Sequence, residues 1–231
     1  MQAPVPFVLD HLGVMSFAYA HPRAMMLADR GASDYCGARC CLLNGVFSGL
    51  ELGAQAVEKH LKAMLAFKDP NENPRKFEHN LLPFAQQVES RGIALLSPHF
   101  KTLERLQAHY QARYPDNPGQ PSTASTAELV EVDVLMNHLL ESMPIPREVS
   151  LRSGVFARAI GSAKSQVISA EEYWLVRENP ILQAKIPQLT EEVLAWFASA
   201  HPPATNPPSS GHAKGSFAPL SPPLVSNVSV P

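Results

Sequence analysis

The chain has 231 residues, which is enough for one domain with a buried core, and its hydrophobic fraction of 45% is ordinary for a globular protein. The formal net charge is −2, so the basic excess with which a general DNA-binding protein neutralises phosphates is absent. The sequence contains no run of about eighteen apolar residues, which argues against a membrane-spanning helix.

The N-terminus and the cysteines bear on the cellular compartment. The first residues, MQAPVPFVLDHL, contain no basic side chain and include Asp10, a pattern that argues against a signal peptide. The cysteines are Cys36, Cys40 and Cys41, and three thiols so close together make a poor disulfide framework. A metal site would need further ligands, which no second cysteine cluster supplies. We therefore expect buried structural thiols, no metal, no cofactor and a reducing, cytoplasmic compartment.

The first predicted helices precede a glycine. Residues 7–19 are apolar and favour helix, and a second helix is expected over residues 21–30. Pro22 fits its first turn, because the N–H group that proline lacks would have no partner there. Gly31 is expected to end this unit.

One long helix is predicted near residues 34–68, because this stretch lacks proline and its apolar residues recur every three or four positions. Gly45, Gly49 and Gly53 are spaced so that they fall on one stripe of that helix. Each glycine costs up to about 1 kcal/mol relative to alanine in a helix interior. We therefore expect the stripe to mark the close approach of a neighbouring helix, with a kink as the alternative.

Shorter elements follow the long helix. Residues 69–74 are a loop by composition, and amphipathic helices are expected over residues 80–91, 97–113 and 127–141. Further along, the pattern favours a small hairpin around residues 161–165, then helices over residues 170–178 and 190–200. The last stretch, residues 202–231, has eight prolines, six serines and a single formal charge, so it has little to bury and is expected to be disordered.

Candidate chemistry lies at the end of the long helix and beyond it. Glu58 and Lys62 are four residues apart with the glutamate first, the favourable arrangement for an ion pair on a helix. His79 follows the loop and opens the next helix. Antiparallel packing of the two helices would bring His79 back near Lys62 and Leu65. On spacing alone, a solvated surface pair and a capping or packing histidine are the ordinary interpretations.

Three short motifs occur in order along this region. Their residues are Ala56, Glu58, Lys59, Leu61, Lys62, Ala63 and Leu65, then His79, Asn80 and Leu81, then Ala112, Arg113, Tyr114 and Pro115. Together they resemble the HEPN domains (higher eukaryotes and prokaryotes nucleotide-binding), and the resemblance covers residues 35–141. It implies an up-and-down bundle of four or five helices, often dimeric. Some members are endoribonucleases of toxin–antitoxin or phage-defence systems, whereas others bind nucleotides or partner proteins without catalysis.

The resemblance implies a cleft lined or braced by Glu58, Lys62, His79, Arg113 and Tyr114. Ribonuclease members carry an arginine and a histidine separated by four to six residues, whereas Arg75 and His79 have only three residues between them. The leading hypothesis is therefore a non-catalytic module that binds a nucleotide, RNA or a protein partner. One alternative is a metal-independent endoribonuclease that uses His79 with Arg75 or Arg113. The other is a homodimerisation scaffold built on the glycine stripe.

The sequence thus predicts an all-α protein in three parts. A HEPN-like bundle spans residues 1–145, a small C-terminal extension over residues 146–200 packs on it, and a disordered tail covers residues 201–231. A homodimer is expected from the resemblance, with a nucleotide or RNA as the candidate ligand.

Overall fold

The computed structural model describes residues 21–71, 79–112, 126–152, 154–164 and 170–200. Every regular element in these ranges is helical, which confirms the all-α prediction. The helices are α1 (Pro22–Leu43), α2 (Gly49–Lys68), α3 (Leu81–Ser90), a 3-10 helix (Ser97–His99), α4 (Phe100–Ala112), α5 (Thr126–Glu141), α6 (Arg147–Arg152), α7 (Gly154–Lys164), α8 (Ala170–Val176) and α9 (Pro180–Ala200). The helix expected over residues 7–19 and the tail lie outside the described residues.

The prediction of one long helix near residues 34–68 is wrong, because two antiparallel helices occupy this region. Helix α1 continues through Gly31 and ends at Leu43. Gly45 then has a φ of +70°, a left-handed conformation that glycine adopts readily. The N–H groups of Gly45 and Val46 donate to the carbonyls of Leu42 and Cys41, at 3.1 and 2.8 Å. This is the Schellman pattern of a helix C-terminus, and it reverses the chain into α2.

Small residues set the distance between α1 and α2. A Cβ added at Gly49 would lie 2.6 Å from Leu42 Cγ and 2.8 Å from the carbonyl oxygen of Ala38. A Cβ at Gly31 would lie 2.6 Å from Nδ1 of His60. Such separations are too short for a carbon atom, so glycine at both positions allows the helices to approach. The close approach expected at Gly49 is therefore present, and its neighbour is α1 of the same chain.

Helix α2 forms the centre of the core. It contacts α1, α3, α4 and α5, and Leu61, Met64 and Leu65 have no appreciable exposure. Gly53 faces Leu106 and Val132 at ordinary contact distances. The predicted stripe is therefore divided among a turn, the α1 interface and the interior, and it does not form one exposed face.

The hairpin predicted around residues 161–165 is also wrong. Residues 154–164 form α7, and its buried apolar side chains are Val155, Phe156, Ala159 and Ile160. Their spacing is that of one helix face, since a half-buried strand would bury alternate residues. Helix α9 begins at Pro180, well before the expected start at Thr190.

The core continues from the bundle into the C-terminal helices. Leu151, Phe156, Leu175, Leu182 and Leu189 belong to the same cluster of buried side chains as the centre of α2. Helices α7 and α8 contact α1, and α9 contacts α5. In the described part of the chain, no helix is both long enough and apolar enough to cross a membrane.

Candidate functional site

Three predicted site residues meet where α3 begins beside α2. Glu58 and Lys62 lie one turn apart on α2, and the ammonium group of Lys62 donates to Oε1 of Glu58. Nδ1 of His79 lies 3.2 Å from both carboxylate oxygens of Glu58. The carboxylate of Glu58 therefore bridges the lysine and the histidine. We call these three residues the Glu58 cluster.

Exposure increases across the Glu58 cluster. The side chain of Glu58 is 8% exposed, that of Lys62 is 16% exposed and that of His79 is 56% exposed. A buried carboxylate needs partners, because removing it from water costs free energy that hydrogen bonds must offset. Lys62 and His79 supply those partners, and His79 also presents most of its ring to solvent.

Aromatic side chains form the wall behind the cluster. The ammonium of Lys62 lies 5.3 Å from the ring centroid of Phe84, within the range of a cation–π contact. The ring of His79 lies 5.3 Å from that of Tyr110, measured between centroids and tilted by 39°. Phe84 is on α3 and Tyr110 is on α4, so both neighbouring helices contribute to the site.

Helix α4 also fixes the start of α3. The side-chain oxygen of Gln107 accepts a hydrogen bond of 2.7 Å from the backbone N–H of Leu81. The first N–H groups of a helix have no partner within it, so this contact satisfies one of them. Because His79 lies two residues before Leu81, the same contact helps to hold the histidine beside α2.

Three further residues belong to the predicted site. Arg75, Arg113 and Tyr114 lie outside the described residues, so neither the Arg75–His79 pair nor the Arg113–Tyr114 motif has a geometry here. Helix α4 ends at Ala112, on the N-terminal side of Arg113.

A buried polar network, which the sequence analysis missed, joins α1 to α5. Arg39 is fully buried and its Nη1 donates to Oδ2 of Asp133. The hydroxyl of Tyr35 donates to Oδ1 of Asp133 at 2.5 Å, and the side-chain amide of Asn179 donates to that hydroxyl at 3.2 Å. Burial raises the pKa of Asp133, and the nearby guanidinium of Arg39 opposes this shift. Burial, followed by the charge of Asp133, raises the pKa of Tyr35 well above its ordinary value.

The same arginine closes the end of α8. Its Nε donates to the carbonyl of Trp174 at 3.0 Å, and its Nη2 donates to the carbonyl of Arg177 at 2.5 Å. The last carbonyls of a helix lack partners within it and carry partial negative charge. A guanidinium is well suited to them, so Arg39 connects α1, α5 and α8. The pair Tyr35 and Arg39, one helical turn apart among small apolar residues, was the sequence feature that could have indicated this buried network.

None of the three cysteines forms a disulfide. Cys36 is buried, as expected, whereas Cys40 and Cys41 are partly exposed. Burial and the neighbouring Cys41 raise the pKa of Cys40, so a smaller fraction of this thiol is ionised to the reactive thiolate. In the described ranges, no three histidine, cysteine, aspartate or glutamate side chains are grouped as metal ligands would be.

Comparisons with models of protein families, with curated proteins and with solved structures found no match. The HEPN resemblance therefore rests on the sequence motifs, and the family to which the chain belongs stays a prediction.

Proposed function

We propose that this protein is a HEPN-like, non-catalytic binding module and that the Glu58 cluster is the polar part of its binding site. The observation that carries the proposal is the meeting of His79 with the Glu58–Lys62 pair. These residues come from two separate motifs of the resemblance, and a loop separates them in sequence. Convergence of such motifs on one buried carboxylate is what a shared site requires.

The ligand that this cluster suits best is a nucleotide or a short stretch of RNA. His79 is largely exposed and lies against Tyr110, so its ring offers a surface on which an unpaired base can stack. The net charge of −2 disfavours a long groove that follows a phosphate backbone. A compact ligand that contacts a single cluster agrees with both observations.

Binding fits the cluster better than catalysis does. Metal-free cleavage of RNA needs a base near the 2′-hydroxyl and a cation on the phosphate. The ammonium of Lys62 is already engaged by Glu58, and the same carboxylate holds His79. The endoribonuclease alternative would therefore depend on Arg75 or Arg113.

The test is a binding titration of the full chain. Fluorescence anisotropy would follow a fluorescein-labelled RNA octamer of mixed sequence, with adenosine monophosphate as competitor. We expect His79→Ala to weaken RNA binding about tenfold, since stacking on one aromatic side chain is worth about 1–3 kcal/mol per base. His138→Ala is the matched control, because that histidine contacts the carbonyl of Leu95 elsewhere on the surface.

Three other outcomes would change the proposal. Equal binding by the wild type and His79→Ala would remove the Glu58 cluster from the site, and no binding of either probe would remove the nucleic-acid ligand. Cleavage of the octamer that disappears in His79→Ala would replace the binding module with the endoribonuclease.

We also propose, on the resemblance, that the protein is a homodimer and, because its three cysteines make a poor disulfide framework, that its compartment is reducing and cytoplasmic. The interface first suggested for it needs revision. Gly49 packs against α1 and Gly53 faces Leu106 and Val132, so neither glycine is available to a second copy. A dimer would have to use another surface.

A further inference from the structure

The charges within the Glu58 cluster cancel. Its one anion is the carboxylate of Glu58, and its one cation is the ammonium of Lys62, which donates to that carboxylate. Opposite charges in contact offset each other, so the pair exerts little attraction on a third charge. When the imidazole of His79 is neutral, the cluster carries no net charge. A ligand that approaches it therefore meets polar atoms but no unpaired charge of these three residues.

The position of Lys62 keeps its ammonium from an incoming anion. The side chain is 16% exposed, its ammonium is bonded to Glu58, and the same ammonium lies 5.3 Å from the ring centroid of Phe84. A phosphate could reach this ammonium only beside the carboxylate of Glu58, and the two negative groups would repel each other. The phosphate would also lose water, and a lysine that is already paired does not offset that cost. Lys62 is therefore a poor contact for phosphate.

The exposed edge of His79 offers a hydrogen-bond acceptor. Nδ1 faces both oxygens of Glu58, and a carboxylate only accepts hydrogen bonds, so Nδ1 carries the proton of the neutral ring. Nε2 then has a lone pair and no proton. The two nitrogens lie on opposite sides of the imidazole, so Nε2 is directed away from the carboxylate, and 56% of the side chain is exposed. A hydroxyl or an N–H group can donate to Nε2, whereas an ionised phosphate has no donor for it.

We propose that the Glu58 cluster recognises the uncharged part of a nucleotide, which is its base and ribose, and does not recognise its phosphate. This inference rests on the proposed function and narrows the ligand to a nucleoside, either free or within RNA. The base would stack on the exposed surface of the His79 ring, which lies beside Tyr110. A hydroxyl of the ribose or an N–H group of the base would donate to Nε2 of His79.

The first test compares adenosine with adenosine monophosphate as competitors of the labelled RNA octamer. Fluorescence anisotropy of the full chain is measured at pH 8, where a histidine side chain is ordinarily neutral. The wild type should prefer adenosine monophosphate by less than about threefold, since a hydrogen bond from a charged group to the phosphate would contribute about tenfold or more. A larger preference for adenosine monophosphate would overturn the inference.

Glu58→Gln tests the physical cause. The variant removes the negative charge that holds Lys62, so the ammonium becomes able to contact a phosphate. The ratio of adenosine monophosphate affinity to adenosine affinity should rise about tenfold, even if both affinities fall because His79 loses its partner. Glu192→Gln is the matched control, because it makes the same change of charge at the ion pair of Glu192 on α9 with Arg147 on α6, and its ratio should stay at the wild-type value. An unchanged ratio in Glu58→Gln would overturn the inference.

A second measurement uses the wild type and does not depend on the folding of a variant. Binding of the octamer is compared at about 50 and about 200 mM potassium chloride. Each phosphate of a single strand that a protein neutralises should weaken binding about 2.5-fold over this range, because counterions are released when the complex forms. We expect a smaller loss, since the cluster offers no unpaired cation. A loss of that size or greater would overturn the inference.

The outcomes separate this inference from the proposed function. Octamer binding that depends on His79 but prefers adenosine monophosphate, or weakens with salt as described, would keep the binding site and overturn only the selection of the nucleoside. Failure of the octamer, adenosine and adenosine monophosphate to bind would remove both.

Discussion

Two carboxylates of this protein are paired in opposite ways. Asp133 is 3% exposed, and its partner Arg39 is entirely buried, so this ion pair has almost no surface in contact with water. Glu58 is almost as buried, but its partner His79 is mostly exposed. Pairing alone therefore does not separate structural groups from candidate binding groups. The exposure of the partner separates them, because a ligand that arrives from solvent can reach His79 beside Glu58 but not Arg39 beside Asp133.

The largest expected effect comes from removing one partner of the buried Arg39–Asp133 pair. Arg39→Met should lower the free energy of unfolding by about 3–5 kcal/mol, because it leaves the carboxylate of Asp133 buried without its guanidinium. The measurement is the urea midpoint and slope at pH 7. The double variant Arg39→Met, Asp133→Leu should recover part of the loss, since it leaves no buried charge. A loss below about 1 kcal/mol in the single variant would mean that water reaches the Arg39–Asp133 pair.

His60 is a second buried ionisable group, and the dependence of stability on pH tests it. Its folded pKa of about 4 lies below the ordinary value of 6.5, so the unfolded chain binds the proton first as the pH falls. Stability should therefore fall between pH 6.5 and pH 4, by about 2 kcal/mol from this group at pH 5. Urea unfolding at pH 7 and pH 5 should show that this part of the loss disappears in His60→Phe.

The control for this measurement is Ser150→Ala. Ser150 and His60 line one cleft, but serine does not titrate, so the variant should keep the dependence of the wild type on pH. The same pH dependence in His60→Phe and in the wild type would show that His60 is not the group responsible.

The smallest expected effect comes from the Glu58 cluster. Glu58→Gln should cost about 1 kcal/mol or less, because Lys62 and His79 can turn to water when the carboxylate is neutralised. The same variant should weaken binding of the RNA octamer, since His79 loses the group that holds it. Urea unfolding and anisotropy on one sample would give both values. A stability loss equal to that of Arg39→Met would remove the distinction between the two carboxylates.

Local patterns predicted most helices, and they failed where one residue had two interpretations. Gly31 was expected to end a helix, but it lies inside α1, where the ring of His60 occupies the space that a side chain would fill. Gly45 was expected inside a helix, but it reverses the chain. The pair Asn44–Gly45 is a common C-terminal signal, and it was hidden by apolar residues that keep a helical period on both sides of the turn.

The Glu58 cluster could be predicted from the sequence, whereas the buried network around Arg39 could not. Glu58 and Lys62 are one turn apart, and His79 follows a short connection, so helix geometry alone brings them together. Arg39 and Asp133 are 94 residues apart in sequence, and their meeting depends on how α1 and α5 pack. No local pattern encodes that contact.

The contacts of Arg39 with the end of α8 have a practical consequence for expression. A fragment that stopped at residue 145 would keep this arginine but lose the carbonyls of Trp174 and Arg177. It would also lose Leu175 and Leu182 from the core and leave an apolar surface that favours aggregation. The shortest soluble product is therefore expected to end near residue 200, and a tag is best placed beyond that point.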